Sequence, residues 1–178
     1  MPANRRPQDR QEKRAEIVDA AEQLFVDVGF EDTPMARIAA AAGVTTTTIY
    51  WYFDDKDALL VAVLDQVLAS ALREHAAAGE QPWDEQLLWV ITRLRRLHRL
   101  VSVVHARVSS SPVVNDWHDR FHALADINLA EGFRAAGVRE QDLPAATRIA
   151  VFVIEGLLTH THDEQTARDI VRLLGALT

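Results

Sequence analysis

The segment Gly29–Leu59, GFEDTPMARIAAAAGVTTTTIYWYFDDKDAL, constrains this chain more than any other part of it. It holds two short helical patterns joined across Gly43, and the second carries hydroxyl and aromatic side chains too polar for a core. Two helices joined by a glycine turn make a helix-turn-helix, a device that presents its second helix to the DNA major groove. Thr33 is a good N-cap for the first helix, with Pro34 behind it where a missing N–H costs nothing. Met35, Ile38, Ala39 and Ala42 repeat with helical period, so one face is buried and the alanines let a neighbouring helix approach closely. Gly43 stops this helix, Val44 plugs the turn, and Thr45 caps a second helix whose inward residues are Ile49 and Phe53. Its outer face is left with Thr46, Thr47, Thr48, Trp51 and Tyr52. Hydroxyls bond to phosphates or base edges, and threonine and aromatic carbons pack against thymine methyls.

The flanking sequence supports this reading. Ile17, Ala20, Ala21, Leu24, Phe25 and Val28 form an upstream helical stripe that ends at Gly29, so three helices can share one small core. Downstream, Asp54 or Asp55 can cap a long helix starting near Lys56. A lysine there opposes the helix dipole, and a bound phosphate explains its presence. Ahead of the module, Met1 to Arg14 carries Arg5, Arg6, Arg10, Lys13 and Arg14 against Asp9 and Glu12, the composition of an arm that runs along a groove or backbone. Arg37 is a candidate phosphate contact or a solvated surface residue.

In order and spacing, the stretch from Ala15 to Val67 resembles the DNA-binding domain of the TetR family of transcriptional regulators. The resemblance rests on the IVDAAEQLF helix, Gly29 and Phe30, Thr33, Ile38 and Ala39, Ala42 to Val44, Ile49 to Phe53, Lys56 and Leu59. It implies that Thr46 to Tyr52 is the recognition helix and that Tyr50, Tyr52 and Lys56 face phosphates. Thr47 stands where family members usually have glycine or another small residue, and Thr46 where a basic residue or proline is frequent. This departure leaves the DNA-binding role intact and leaves open which bases are contacted. The DNA-binding set on this reading is Arg37, Thr45, Thr46, Thr47, Thr48, Tyr50, Trp51, Tyr52 and Lys56.

Composition bounds what such a module can do. The formal net charge is −7, and from Met1 to Lys56 seven basic residues (Arg5, Arg6, Arg10, Lys13, Arg14, Arg37, Lys56) face ten acidic ones (Asp9, Glu12, Glu16, Asp19, Glu22, Asp27, Glu31, Asp32, Asp54, Asp55). DNA contact needs local positive charge and not a basic total. With so little of it, affinity leans on direct contacts and dimeric presentation, and non-specific binding is weak. The chain has no cysteine, which excludes disulfides, thiolate metal sites and thiol redox sensing. Neither an apolar signal segment nor a run long enough to cross a bilayer is seen, so no membrane role and a cytoplasmic location are expected.

The remaining sequence is helical to its end, and an all-α chain is expected: residues 1–55 as arm and helix-turn-helix DNA-binding domain, residues 56–178 as a helical-bundle ligand-binding and dimerisation domain. The Lys56 helix breaks at Gly79 to Pro82, and Asp84 to about Val108 reads as one long stretch or two helices. A helix through Trp117 to Phe133 closes at Gly137, and Leu143–His160 and Glu164–Leu177 form the last two. The run from Ile149 to Leu158 is apolar on nearly all sides, so a partner subunit packed on the last two helices is the economical cover, an arrangement the TetR resemblance also implies. The resemblance further implies a small-molecule inducer. Trp89, His105, Trp117, Phe121 and Phe152 are expected on inward or semi-inward faces and are the candidate ligand-binding residues, with core packing as their plainer role. The basic stretch Arg93, Arg95, Arg96, Arg99 reads as a solvated face paired with acidic neighbours.

No Gly-rich phosphate loop, GxSxG elbow or clear carboxylate pair is present, so no enzyme and no cofactor are expected. His118 with His122, His98 with His105, and His160 with His162 could supply a zinc or nickel site, with Asp126 completing it, but the compact HExxH signature is absent and no metal site is assigned. The function expected is that of a ligand-responsive regulator, read as a repressor, that binds a pseudo-palindromic double-stranded operator as a homodimer. The alternative is a helical small-molecule or metal-binding protein without specific DNA binding.

Overall fold

The computed structural model describes residues 7–79 and 81–175, and among them regular structure is helical throughout. The helices are α1 Pro7–Asp27, α2 Met35–Ala41, α3 Thr46–Tyr50, α4 Lys56–Ala77, α5 Trp83–Arg96, α6 His98–Arg107, α7 Pro112–Ala135, α8 Leu143–Thr159 and α9 Glu164–Gly175, with a 3-10 turn at Glu140–Asp142 before α8. The chain is all-α, helix-turn-helix first and helical bundle after. It packs as two compact units: the chain up to Ala77 with Arg99–Trp117, and Ala78–His98 with the chain from His118 on.

In the first unit α1 packs on α2 and α4, and α2 on α3. The apolar stripe read from the sequence supplies its core: Ile17, Ala21, Phe25, Ile38 and Ile49 are all fully buried. Phe25 and Phe30 meet with ring centroids 5.1 Å apart, and Leu59, Leu60 and Val63 close the core from α4. Each buried leucine, isoleucine or phenylalanine contributes about 1.5–3 kcal/mol, so this small module is held by burial and not by its seven- and five-residue helices, which are too short to persist alone.

Two local features differ from expectation. Thr33 is fully buried and does not cap α2; its Oγ1 donates to the Gly29 carbonyl at 2.7 Å, and Pro34, extended at φ −69° and ψ 152°, occupies the N-cap position. A hydroxyl shut away from water needs a partner, and the carbonyl at the end of α1 supplies one. The basic arm is shorter than expected because α1 begins at Pro7, which places Arg10, Lys13 and Arg14 on a helix, while Arg5 and Arg6 lie outside the described residues. Of the two readings left open for Asp84 to Val108, the structure has the two helices, parted at Leu97.

In the second unit α5 packs on α8 and α9. Its core joins Leu87 and Ile91 of α5, Leu129 and Phe133 of α7, Ala150, Val151 and Leu157 of α8, and Ala167, Val171 and Leu174 of α9. Trp83 enters it beside Phe133, with ring centroids 5.0 Å apart. Gly132 makes room for it, since a Cβ there would stand 1.8 Å from the Trp83 indole nitrogen. A mid-helix glycine, ordinarily unfavourable, is here the condition for seating an indole.

The turn of the helix-turn-helix is set by Gly43 at φ +64°. Its N–H donates to the Ala40 carbonyl and the Val44 N–H to the Ala39 carbonyl, at 3.2 and 2.9 Å, the paired bonds of a Schellman end. The space around Gly43 is open, so only backbone conformation disfavours a side chain there. Gly43→Ala is expected to lower stability by about 1 kcal/mol or slightly more, read as a fall in the urea midpoint with unchanged slope.

Candidate nucleic-acid interface

The turn aims α3 by way of its cap. Thr45 Oγ1 accepts from the Thr48 N–H at 3.1 Å and lies 2.9 Å from the Thr48 hydroxyl, so both side chains are committed to starting the helix. Ile49 is fully buried and anchors the inner face, with Phe53 buried behind it. The helix ends at Tyr50, two residues sooner than expected, with Trp51 continuing in the right-handed region as its C-cap. Thr47 and Trp51, one turn apart, share an outer face: Thr47 is exposed and Trp51 is 75% exposed. Tyr50 is also exposed, whereas Thr46, Thr48 and Tyr52 are half-buried. Arg37 is exposed on α2.

α1 supplies cations to the same corner. The Arg10 guanidinium stands 5.9 Å from the Tyr52 ring centroid, and Arg14 stands 5.0 Å from that of Phe53. Both stack on aromatic faces whose rings attract positive charge.

Lys56 has a partner within the protein. Its Nζ donates to the Phe30 carbonyl and lies 4.1 Å from the Phe30 ring centroid. Partial burial pulls its pKa below the ordinary lysine value, with Arg107 adding to the fall, against the opposing pull of Glu31, Asp57 and Asp32. The lysine at the start of α4 thus reaches the α1–α2 loop.

A second cation, Arg107 at the end of α6, also stands over Phe30, 5.2 Å from the ring centroid. Arg107 Nη2 donates to Asp57 Oδ2 at 2.6 Å and its Nε stands 2.6 Å from Asp57 Oδ1, while Nη1 lies 3.7 Å from Glu31. Burial alone raises the Asp57 carboxyl, but hydrogen bonds from Arg107 and Ser111 and the charges of Arg107 and Lys56 outweigh it and hold its pKa below the ordinary value. The hydrogen bond to Asp57 in turn raises the Arg107 pKa. At the other end of α6, Arg99 Nη1 donates to the carbonyls of Val26 and Asp27 at the end of α1, where the helix dipole favours a cation. Of the basic stretch read as a solvated face, Arg95 and Arg96 are exposed, while Arg93 stands 5.6 Å from the Trp89 ring centroid and Arg99 bonds backbone carbonyls. The bonds of Arg107 to Asp57 and of Arg99 to Val26 and Asp27 went unread in the sequence because they join residues about fifty and about seventy positions apart, where no local spacing marks them.

The residues expected to line a ligand pocket are scattered in exposure. Trp89 and Phe121 are half-buried. Trp117 is buried, and its Nε1 donates to Asp65 at 2.9 Å, tying α7 to α4. His105 and Phe152 do not face inward: His105 is exposed and Phe152 is 63% exposed. His118 and His122 stack on α7 with ring centroids 4.3 Å apart.

Residues 17–63 match the family model described as bacterial regulatory proteins of the tetR family. These residues form a TetR-family N-terminal domain. The transcriptional regulator TtgR of Pseudomonas putida is similar to this chain, 40% identical over 81 residues that cover 46% of the chain and 38% of the relative. The chain thus spans about two fifths of the length of the curated relative it matches. Likeness of fold extends further. A TetR transcription regulator from Haloarcula marismortui superposes with TM-score 0.75 at 20% identity, over 94% of this chain and 98% of that one. A regulator from Saccharomonospora viridis, in complex with choline, superposes with TM-score 0.69 at 20% identity, over 91% and 94%. The Lys56, Asp57 and Phe30 contacts of the TetR-family domain lie within the matched residues, and Arg107 reaches them from beyond.

Asp57→Asn is expected to cost about 2 kcal/mol at neutral pH, the range for hydrogen bonds to charged groups in a partly buried pair. Because the folded-state pKa of Asp57 is depressed, its contribution is present above the ordinary carboxylate value near 4 and is lost as pH falls through the folded value. Urea midpoints of wild type and Asp57→Asn should therefore differ at pH 7 and converge in acid.

Proposed function

We propose that this chain is a ligand-responsive transcriptional regulator, a repressor, that binds a pseudo-palindromic double-stranded operator as a homodimer and is released by a small-molecule inducer. The observation that carries the proposal is the outward face of α3, where Thr47, Tyr50 and Trp51 stand exposed while Ile49 beneath them is fully buried. A large aromatic ring held outward by a rigid corner loses contact with water only when a partner covers it. The relatives named as transcriptional regulators support the same reading. Residues 1–55 then act as the DNA-binding part, with Thr45 to Thr48, Tyr50, Trp51, Tyr52 and Arg37 at the DNA and Lys56 steadying the corner. Residues 56–178 act in ligand binding and dimerisation.

The homodimer is proposed through α8 and α9. Ile149, Phe152 and Leu173 are 45%, 63% and 63% exposed on those two helices, a cost that a second copy removes. Two recognition helices would then meet major-groove faces about 34–36 Å apart. Trp89 and Phe121 remain the candidate ligand contacts, in line with the choline bound by the Saccharomonospora viridis regulator only in that both bind small molecules. Inducer action through α6 would loosen the hold of Arg107 on Asp57, and a coupling of about 1–3 kcal/mol per ligand changes operator occupancy appreciably. Absence of a membrane role fits the finding that no helix among the described residues is long and apolar enough to cross a bilayer.

Selection of bound sequences from random duplex DNA tests the proposal. A palindrome should be enriched, and Trp51→Ala with Tyr50→Ala should weaken binding to it at least about tenfold, as for loss of one or two base contacts. No enrichment by the folded protein overturns it. Phe152→Glu with Leu173→Glu is expected to yield monomers by sedimentation velocity without loss of helicity, whereas an unchanged dimer would move the interface elsewhere.

A further inference from the structure

α3 and its immediate flanks, Val44 to Phe53, contain no arginine, lysine, asparagine, glutamine, aspartate or glutamate. The side chains that read guanine or adenine by paired hydrogen bonds are therefore missing from the helix that would enter the groove. Of the four threonine hydroxyls, those of Thr45 and Thr48 are engaged with each other at 2.9 Å, and Thr46 is half-buried. What the helix presents outward is Thr47, one turn from Trp51, which is 75% exposed. The Thr47 γ-methyl and the indole thus lie on one face and offer an apolar surface backed by a fully buried Ile49. Lysine does not change this inventory, because Lys56 is held on the Phe30 carbonyl.

In the major groove one base-pair feature is apolar, the C5-methyl of thymine. Removing a methyl and an indole surface together from water is the favourable exchange open to this face, and its selectivity is for the base that carries the methyl. We propose, resting on the DNA-binding reading above, that Thr47 and Trp51 read the operator through thymine C5-methyl groups, so that each half-site holds thymine at the position beneath them and specificity there is apolar. Hydrogen bonds to the same thymine from other groups are not required. Cytosine methylated at C5 presents the same group and should substitute in part where its pairing is tolerated.

The test uses the full chain and the duplex that emerges from selection, with deoxyuridine replacing thymidine one position at a time. Uracil lacks only the methyl, so pairing is kept. At the contacted position, binding should weaken about fourfold for one half-site and about fifteenfold for both, the loss expected for withdrawing one or two methyls from an apolar contact. Trp51→Ala should bind more weakly overall and no longer distinguish the thymine duplex from the uracil one. Thr47→Ser, which keeps the hydroxyl and deletes the methyl, should reduce the distinction while leaving the fold and thermal midpoint unchanged. Both sites are exposed, so neither variant disturbs the core. A duplex bound tightly with equal affinity at every uracil position overturns the proposal while leaving DNA binding intact. Failure to bind any duplex overturns both.

Discussion

The helix-turn-helix corner depends on one ring with two cations near it. Phe30, in the loop between α1 and α2, has Lys56 and Arg107 stacked 4.1 and 5.2 Å from its centroid. Lys56 opens α4, Arg107 closes α6, and Asp57 binds the arginine beside the lysine, so one contact fixes three segments. Burying Phe30 while placing charges over it couples the apolar core to an ion pair, and neither is complete without the other. Arg99 fastens the opposite end of α6 to the carboxyl end of α1. α6 therefore touches both ends of the frame that carries the helix-turn-helix, and the orientation of α3 follows from that frame through Gly43 and the Thr45 cap.

Local chemistry made much of this legible. Gly43 in the left-handed region, Thr45 capping α3, Asp55 accepting from the Ala58 N–H at 2.7 Å, and Ile49 and Phe53 facing inward are all dictated by neighbours within a few residues. Thr33 misled because the residue type suits both a cap and a buried back-bond, and only the tertiary environment decides between them. The contact of Lys56 with the Phe30 carbonyl is unmarked in the sequence for a related reason: it joins residues 26 positions apart, whereas a lysine at a helix start reads locally as a phosphate ligand. Arg107 and Asp57 escaped notice altogether, since an ion pair across fifty positions leaves no periodicity.

The second unit shows the same division. Its helices follow from apolar spacing, yet exposure on α8 does not. The run from Ile149 to Leu158 is apolar nearly all round, and packing against α5 buries Ala150, Val151 and Leu157 while leaving Ile149 and Phe152 outside. Periodicity identifies a helix with more than one apolar face; it does not say which face the same chain covers. Gly132 carries a comparable lesson, for nothing in its sequence context announces that Trp83 rests against it.

The distance in sequence between Phe30 and Arg107 also orders events in time. During synthesis α1 to α4 emerge well before α6, and domains begin to organise from the amino end. Until α6 has emerged, Asp57 and Phe30 lack the guanidinium that meets them in the folded chain. Only when Arg99 to Arg107 has left the ribosome is the frame closed.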